Sequence, residues 1–253
     1  MFFASPPRRM PARMSQGYAA ATRHPWPCLL FLLPLLSAYE AGLVWMGGQH
    51  PEALRSGADT WLHWGVEAFG IERMYAVPGL VLALLLARSC LDWRSRPIDW
   101  LGVCAGMAIE SVVFALGLWA LGRALAPFLQ SLGIQLALPP QTQEAVMQIL
   151  AFVGAGIYEE VLFRLLLFSA LAWLLRQFTF APPKAILLAA LASALLFSAA
   201  HHAGPYGERF EGYAFLFRTM AGLYFTFLYQ FRGFGIAVGA HACYDVLVGI
   251  KIV

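Results

Sequence analysis

The chain has 253 residues, of which 60% are hydrophobic and only 12% are charged, and its mean hydropathy is +0.66. Soluble globular domains are about 45–50% apolar and about 25% charged, so a water-soluble domain is excluded. The net charge of +3 comes from basic residues scattered between apolar segments, a pattern that argues against nucleic acid as a partner. The composition predicts a protein that crosses the lipid bilayer several times.

The chain begins with a basic segment. Residues 1–25 contain four arginines and no acid, and an apolar run to Met46 follows them. Because that run is too long for the apolar part of a cleaved signal peptide, we expect a cytoplasmic tail at 1–25 followed by a retained anchor. Residues 26–140 are then predicted to form N-terminal transmembrane helices with interfacial segments, and 141–253 a transmembrane core.

Hydropathy predicts an all-α, polytopic transmembrane helical bundle with seven spans. The spans are residues 27–47, 75–92, 100–121, 146–175, 184–201, 212–231 and 234–253. The segments 60–71 and 124–138 are amphipathic and too short to cross, so we expect interfacial helices there. A re-entrant turn at either segment would make the number of spans eight. The fourth span is longer than the hydrocarbon layer requires, and Gly154 and Gly156 mark the expected break in it.

Basic residues predict the orientation. When alternate loops are assigned to opposite sides, ten lysines and arginines lie on the side of the N-terminus and five lie on the other side. Positive charge accumulates in cytoplasmic loops. We therefore expect a cytoplasmic N-terminus, in a bacterial inner (plasma) membrane.

Ionisable side chains interrupt the apolar spans, although a charge at the bilayer centre costs roughly 2.5–3.5 kcal/mol unless it faces a polar group or a cavity. They are Glu40, Glu110, Glu159, Glu160, Arg164, His201, His202, Arg218, His241 and Asp245. Glu40, Glu110 and Arg218 match no motif, so we expect them to form structural pairs. Arg218 is also a candidate for lining a substrate path.

An i, i+4 spacing, which places two side chains on one helix face, occurs three times in these spans. The pairs are Glu160 with Arg164, Phe197 with His201, and His241 with Asp245. An ion pair between Glu160 and Arg164 satisfies both charges. It leaves Glu159 as an unpaired intramembrane carboxylate, which is a functional residue by default.

A carboxylate and an imidazole that share one water make that water a nucleophile, and a second imidazole stabilises an oxyanion. Glu159, His201 and His241 therefore predict a hydrolase site that requires no cofactor. The same three side chains are also a ligand set for a divalent metal such as zinc, with an open position for water. The residues alone leave both schemes open.

Simpler interpretations stand beside these. In one interpretation, His201 only caps its helix, which ends before Gly204 and Pro205, or His202 is the active ring instead. In another, His241 only joins two helices by hydrogen bonds. The Gly- and Pro-rich segment 202–209 is an ordinary loop or a mobile gate. At the level of function, the alternatives are a proton- or metal-coupled transporter and a non-catalytic immunity or interaction protein.

Three motifs in this order on three apolar helices resemble those of the CAAX prenyl protease and bacteriocin-processing family of intramembrane proteases. The motifs are Glu159-Glu160-x-x-x-Arg164, Phe197-x-x-x-His201 and His241-x-x-x-Asp245. The resemblance covers residues 145–250. It implies a helical membrane endopeptidase, with 141–253 as its catalytic core and a membrane protein or peptide, lipid-modified or carrying a C-terminal signal, as its substrate.

The resemblance also implies roles for the side chains. Glu159 and His201 would activate water, Glu160 and Arg164 would support them, and His241 with Asp245 would form the oxyanion site. The family often has Asn in the last position, where an amide donates to the oxyanion, whereas an ionised Asp245 only accepts. We therefore expect Asp245 to be protonated, to orient His241 or to bind metal.

Overall fold

The computed structural model describes residues 17–48, 50–134, 145–178, 181–204 and 207–249. All regular structure in these ranges is helical, which confirms the predicted all-α fold. Two 3-10 helices cover Pro51–Leu54 and Trp93–Ser95, and a π-helical segment, Val161–Phe168, joins α6 to α7. The α-helices are α1 Tyr18–Ala21, α2 Pro25–Gly47, α3 Gly57–Glu67, α4 Ala76–Leu91, α5 Trp100–Ser131, α6 Ala145–Glu160, α7 Ser169–Gln177, α8 Pro182–Ala200, α9 Gly212–Phe231 and α10 Phe234–Gly249.

Each predicted span corresponds to one of these helices or, for the fourth, to the continuous helix 145–177 that α6, the π-helical segment and α7 form. In the described ranges, α2, α5 and α8 are each long and apolar enough to cross a membrane, and α4 and α10 are shorter apolar helices. Residues 1–16 of the predicted tail and 250–253 of the last predicted span lie outside the described residues. The chain is a polytopic helical membrane bundle.

The separate interfacial helix predicted at 124–138 is wrong for its described part. Helix α5 runs without interruption to Ser131 and includes Pro127; residues 135–138 lie outside the described residues. Hydropathy falls after residue 121, but a proline is tolerated within a membrane helix when side chains, neighbouring helices or local changes of helix geometry satisfy the freed backbone groups. A short helix does form near the predicted 60–71 segment, as α3.

The predicted break at Gly154 and Gly156 is also wrong, because α6 continues through both residues. Both glycines permit close approach instead. A Cβ atom at Gly154 would overlap the ring of Tyr39, and one at Gly156 would lie 2.7 Å from the backbone nitrogen of Ala242. The irregularity follows at Val161, where the helix widens into the π-helical segment.

Helix α8 folds back along the second half of the helix 145–177. Ser193 Oγ donates to the Phe163 carbonyl at 2.7 Å, and the rings of Phe163 and Phe197 lie 5.3 Å apart. At 1.5 Å per residue, α8 is about 28 Å long and returns from Gln177 to the level of Glu159. His201, which follows α8, therefore lies beside Glu159.

Helix α10 occupies the centre of the bundle, where α5 and α6 flank it. Gly235 and Gly239 face Met107 and Ser111 of α5, and a Cβ atom at either glycine would overlap those side chains. Small residues allow helices in a membrane to pack closely. This packing fixes the height of His241 relative to α6.

A polar cluster joins the N-terminal helices to α6. Its members, called the N-terminal polar cluster below, are Tyr39, Glu40, Arg55, Asp59, His63 and Tyr158. Tyr158 donates to Glu40 Oε1 at 2.6 Å, and Asp59 Oδ2 accepts from Tyr39 at 2.9 Å and from Arg55 at 2.7 Å. The predicted structural pairing of Glu40 is therefore observed, with Tyr158 as partner. The contact connects α2 to the residue that directly precedes Glu159.

We expect this cluster to make stability depend on pH through His63. Burial disfavours the charged ring, but Asp59, 2.9 Å from Nδ1, outweighs that cost and raises the pKa of His63. A raised pKa means that the stabilisation is complete below the ordinary histidine pKa and is lost as pH rises through the higher, native value. Thermal unfolding in detergent between about pH 6 and about pH 9 measures the effect.

The matched substitutions are His63→Gln and His50→Gln, since His50 is exposed and contacts only Glu52 at 3.4 Å among the described ion pairs. We expect wild type to lose about 1 kcal/mol over this range and His63→Gln to lose most of that dependence. An unchanged pH dependence in His63→Gln would show that other groups cause it.

Candidate active site

Glu159 and Glu160 end α6, and their side chains point in different directions because successive residues of a helix are about 100° apart. Glu160 is fully buried, whereas the Glu159 side chain retains 14% of its exposure. The two adjacent carboxylates therefore have different neighbours and serve different purposes.

Glu160 connects a cation to an imidazole. Arg164 Nη1 lies 3.0 Å from Glu160 Oε1, which is the i, i+4 ion pair that the sequence predicts. His241 Nδ1 lies 2.7 Å from the same oxygen. Because an ionised carboxylate only accepts, Nδ1 of His241 carries a proton and donates it to Glu160.

Arg164 is enclosed on all sides, with a side chain 1% exposed. Its Nη2 donates to the Gly222 carbonyl of α9 at 3.2 Å, and its guanidinium carbon lies 4.4 Å from the ring centroid of Phe197 and 5.4 Å from that of Phe225. The contact with Glu160 is a charge contact, because in the described residues Nη1 makes no hydrogen bond of good geometry. Arg164 thus compensates the buried charge of Glu160.

The π-helical segment carries Arg164, and side chains satisfy backbone groups within it. Ser193 donates to the Phe163 carbonyl at 2.7 Å and Ser169 donates to the Arg164 carbonyl at 3.1 Å. π-Helical turns are rare and often lie at functional sites. Here the segment begins directly after the two glutamates.

His201 is the C-cap residue of α8. Its Nδ1 lies 2.9 Å from the Phe197 carbonyl and must donate, since a carbonyl only accepts. In the neutral ring, Nε2 is therefore unprotonated, and it lies 3.9 Å from Glu159 Oε1. That distance is too long for a direct hydrogen bond and fits two groups that share a water.

His241 presents its other nitrogen to two more carboxylates. Nε2 lies 3.6 Å from Glu159 Oε2 and 3.4 Å from Asp245 Oδ2. Phe225 stacks on the imidazole, with ring centroids 4.3 Å apart and planes at 12°, so the ring has a fixed orientation. Glu159 consequently lies between the two imidazoles.

The structure brings all six predicted side chains together. Glu159, His201, His241 and Asp245 face one another, with Glu160 and Arg164 behind His241. His202 contacts a different set of groups: its Nδ1 meets the Glu208 carbonyl at 3.1 Å, and its ring stacks near Phe215 at 6.2 Å. In the described ranges, no ion pair or hydrogen bond joins His202 to Glu159.

Sequence reasoning missed the aromatic and backbone supports of the site. Phe225 and the Gly222 carbonyl belong to α9, which carries none of the three motifs. The spacing of Gly222 and Phe225 places them on one helix face, but no sequence signal indicated that this face meets Arg164 and His241.

The ligand set Glu159, His201 and His241 was tested against the geometry. In the part of the chain that the structure describes, no group of three or more His, Cys, Asp or Glu side chains is arranged to hold a metal ion. Glu160 accepts from Nδ1 of His241 and the Phe197 carbonyl accepts from Nδ1 of His201. Both Nε2 atoms are therefore left on the side of Glu159.

Close contact between α6 and α10 sets the distance from the glutamates to His241. We expect Gly156→Ala to force the two helices apart, because its Cβ would lie 2.7 Å from the Ala242 backbone. Overpacking of this kind costs about 1–3 kcal/mol, and cleavage is expected to fall at least about tenfold, since small displacements in a catalytic site cost up to 10²-fold. Gly79→Ala is the matched control, because its Cβ meets nothing within 4 Å.

Thermal unfolding and peptide cleavage are measured for both variants. Equal effects of Gly156→Ala and Gly79→Ala would contradict the role of this contact.

Comparison with known families agrees with the geometry. The family model described as type II CAAX prenyl endopeptidase, Rce1-like, matches residues 141–247, which include the three motifs and all six side chains of the cluster. No curated protein and no solved structure matches the chain. The resemblance predicted from the motifs is confirmed over residues 141–247, the part of the chain that matches this family model.

Proposed function

We propose that this chain is an endopeptidase that cuts a membrane-associated protein with a water molecule activated by Glu159 and His201. The observation that supports the proposal most strongly is the position of the Glu159 carboxylate, 3.9 Å from His201 Nε2 and 3.6 Å from His241 Nε2. A water between Glu159 and His201 has two proton acceptors, which is the arrangement that general-base catalysis requires.

The reaction starts when the activated water attacks the scissile carbonyl. His201 and Glu159 take up its proton and then deliver a proton to the departing amine, so no charge is left on the products beyond the new termini. In this scheme His241 is an imidazolium with a proton on each ring nitrogen: Nδ1 donates to Glu160, Phe225 holds the ring plane, and Nε2 donates to the developing oxyanion. Fixed donors of this kind stabilise the transition state strongly in a site that excludes bulk water.

Asp245 has a positioning role in this scheme. Its Oδ2 lies 3.4 Å from His241 Nε2, on the same helix face, and a carboxylate there favours the ring form that carries a proton on Nε2. Asp245 therefore does not donate to the oxyanion as an amide would. It positions the imidazole of His241, and the imidazole donates.

The proposed substrate is a membrane-bound chain, lipid-modified or carrying a C-terminal signal. A C-terminal CAAX sequence is the site of prenylation, and the family whose model matches residues 141–247 is described as type II CAAX prenyl endopeptidase. The apolar surface of the bundle accommodates a lipid-anchored peptide without removing it from the bilayer.

The orientation is a further part of the proposal. With a cytoplasmic N-terminus and seven spans, α8 begins on the cytoplasmic side near Lys184 and ends on the opposite side, where the site opens. Labelling of a cysteine at Arg209, an exposed residue after α8, with a membrane-impermeant maleimide reports this side directly.

A transporter is the main competing function, because transporters also place Glu, His and Asp within the membrane. Purified protein in liposomes decides between the two. We expect cleavage of a lipid-anchored peptide, detected by mass spectrometry, and no flux of protons or zinc above empty liposomes. Ion flux without cleavage would support the transporter, and neither activity would support an interaction protein.

A further inference from the structure

A second charged pair lies next to His201, outside the three motifs. Arg218 is the one charged residue in the sequence of α9, and its Nη2 donates to both carboxylate oxygens of Glu208, at 2.8 and 2.7 Å. The backbone N–H of Glu208 donates in turn to the His201 carbonyl at 2.8 Å. Glu208 therefore connects the guanidinium of Arg218 to His201, one of the two histidines of the site.

Arg218 lies on the face of α9 that is turned toward the site. It precedes Gly222 by four residues, so the two share a helix face one turn apart. The Gly222 carbonyl accepts from Arg164, which fixes that face against the catalytic residues.

The two partners of the pair differ in exposure. The Glu208 side chain is 57% exposed and the Arg218 side chain only 22%. Arg218 Nη1 is buried and has no hydrogen-bond partner among the described residues. A guanidinium binds a carboxylate best through two parallel N–H bonds, but here one nitrogen makes the whole contact. Displacement of the exposed Glu208 side chain would free a guanidinium with unused donors beside the site.

We propose that Arg218 binds a carboxylate of the substrate peptide and that Glu208 occupies this position until the substrate displaces it. This inference rests on the proposed function, because it names what the same site recognises. One carboxylate replaces another, so the guanidinium is never left without a partner in an apolar environment. The carboxylate comes either from the C-terminus of the peptide or from an acidic side chain near the scissile bond.

Recognition of this kind determines specificity. When the carboxylate of a peptide is bound at Arg218, one particular peptide bond, at a fixed distance from that carboxylate, lies next to Glu159 and His241. An apolar bundle holds lipidated chains without much discrimination, so a partly buried cation beside the site is a direct way to select one end of the substrate.

The test compares three lipid-anchored peptides that differ only in their carboxylates. One has a free C-terminal carboxylate, the second a C-terminal amide, and the third a C-terminal amide with an aspartate near the scissile bond. Cleavage gives kcat and KM for each peptide. Binding of the same peptides, with a fluorescent label, is measured in the Glu159→Gln background, where they are not consumed.

Wild type is expected to favour a carboxylate peptide over the plain amide by roughly tenfold, mainly in KM, which is the size expected of one charged hydrogen bond. Arg218→Gln should bring this ratio close to one, and Arg218→Lys should restore part of it. Glu208→Gln should tighten binding of the carboxylate peptide, because it removes the internal competitor. The matched control is Arg232→Gln, whose guanidinium pairs with Glu110 at the far end of α9 and whose loss should leave the ratio intact.

The first two peptides identify the C-terminus as the source of the carboxylate, and the third identifies a side chain. Equal binding of all three peptides in the Glu159→Gln background, or an unchanged ratio when Arg218→Gln is added, would overturn the inference. If no peptide is cleaved, the proposed function fails, while the binding ratios still decide the role of Arg218.

Discussion

Glu159→Gln is expected to abolish cleavage, with a loss of at least about 10³-fold in kcat, because the amide cannot accept a proton from water. His201→Ala is expected to have an effect of similar size, since Nε2 is the second acceptor, 3.9 Å from Glu159. Among the described residues the Glu159 side chain makes no hydrogen bond, and the His201 ring makes one only to the Phe197 carbonyl of its own helix. Both variants should therefore fold and keep the unfolding temperature of wild type within a few degrees.

Matched controls isolate the chemistry of these two side chains. Glu67→Gln makes the same change at an exposed position at the end of α3, and it should retain wild-type kcat. His202→Ala removes the neighbouring imidazole and should cost at least tenfold less than His201→Ala. A larger loss in His202→Ala than in His201→Ala would identify the other ring as the active one.

Arg164→Met is expected to destabilise the protein by about 3–5 kcal/mol, because it leaves the buried carboxylate of Glu160 without its cation. The double variant with Glu160→Gln and Arg164→Met removes both charges and should recover most of that stability. It should stay inactive, since the amide at 160 no longer fixes His241 through an ionised acceptor. Thermal unfolding in detergent and peptide cleavage measure the two effects separately.

Arg88→Met is the matched control for stability. Arg88 and Asp92 form another i, i+4 contact, at 3.8 Å, but their side chains are 61% and 43% exposed. Exposed pairs contribute less than about 1 kcal/mol, so this substitution should change the unfolding temperature little. Similar losses in Arg164→Met and Arg88→Met would contradict the account of the buried pair.

Local patterns in the sequence predict a large part of this architecture. The seven apolar runs predict the seven long helical elements, because crossing a membrane requires continuous apolar helix. The i, i+4 spacing predicts the Glu160 and Arg164 pair, since that contact is made within a single helix. Such features depend only on neighbouring residues, and the sequence is sufficient for them.

Contacts between helices were less accessible to sequence reasoning. The bond between Glu160 and His241 joins residues 81 positions apart, and it depends on Gly156 facing Ala242. Structural pairing was predicted for Glu40, Glu110 and Arg218, but their partners Tyr158, Arg232 and Glu208 were not. In a sequence, a glycine is compatible both with a break in a helix and with close packing against a second helix. The break predicted at Gly154 and Gly156 was wrong for this reason.

The helix 145–177 shows a further limit. Hydropathy gives its length but not its change to π-helical geometry at Val161, where Ser169 and Ser193 donate hydrogen bonds to the carbonyls of Arg164 and Phe163. Its pairing with α8 brings His201 beside Glu159, and hydropathy does not describe such a contact between helices.

The most direct test of the central claim is cleavage by wild-type protein from which all metal has been removed. Purified protein is treated with a chelator, shown by elemental analysis to be free of zinc and other divalent ions, and given a lipid-anchored peptide in liposomes. If Glu159 and His201 activate the water themselves, a single peptide bond is cut at the rate of untreated protein. Loss of cleavage on chelation, with recovery when zinc is returned, would contradict this account.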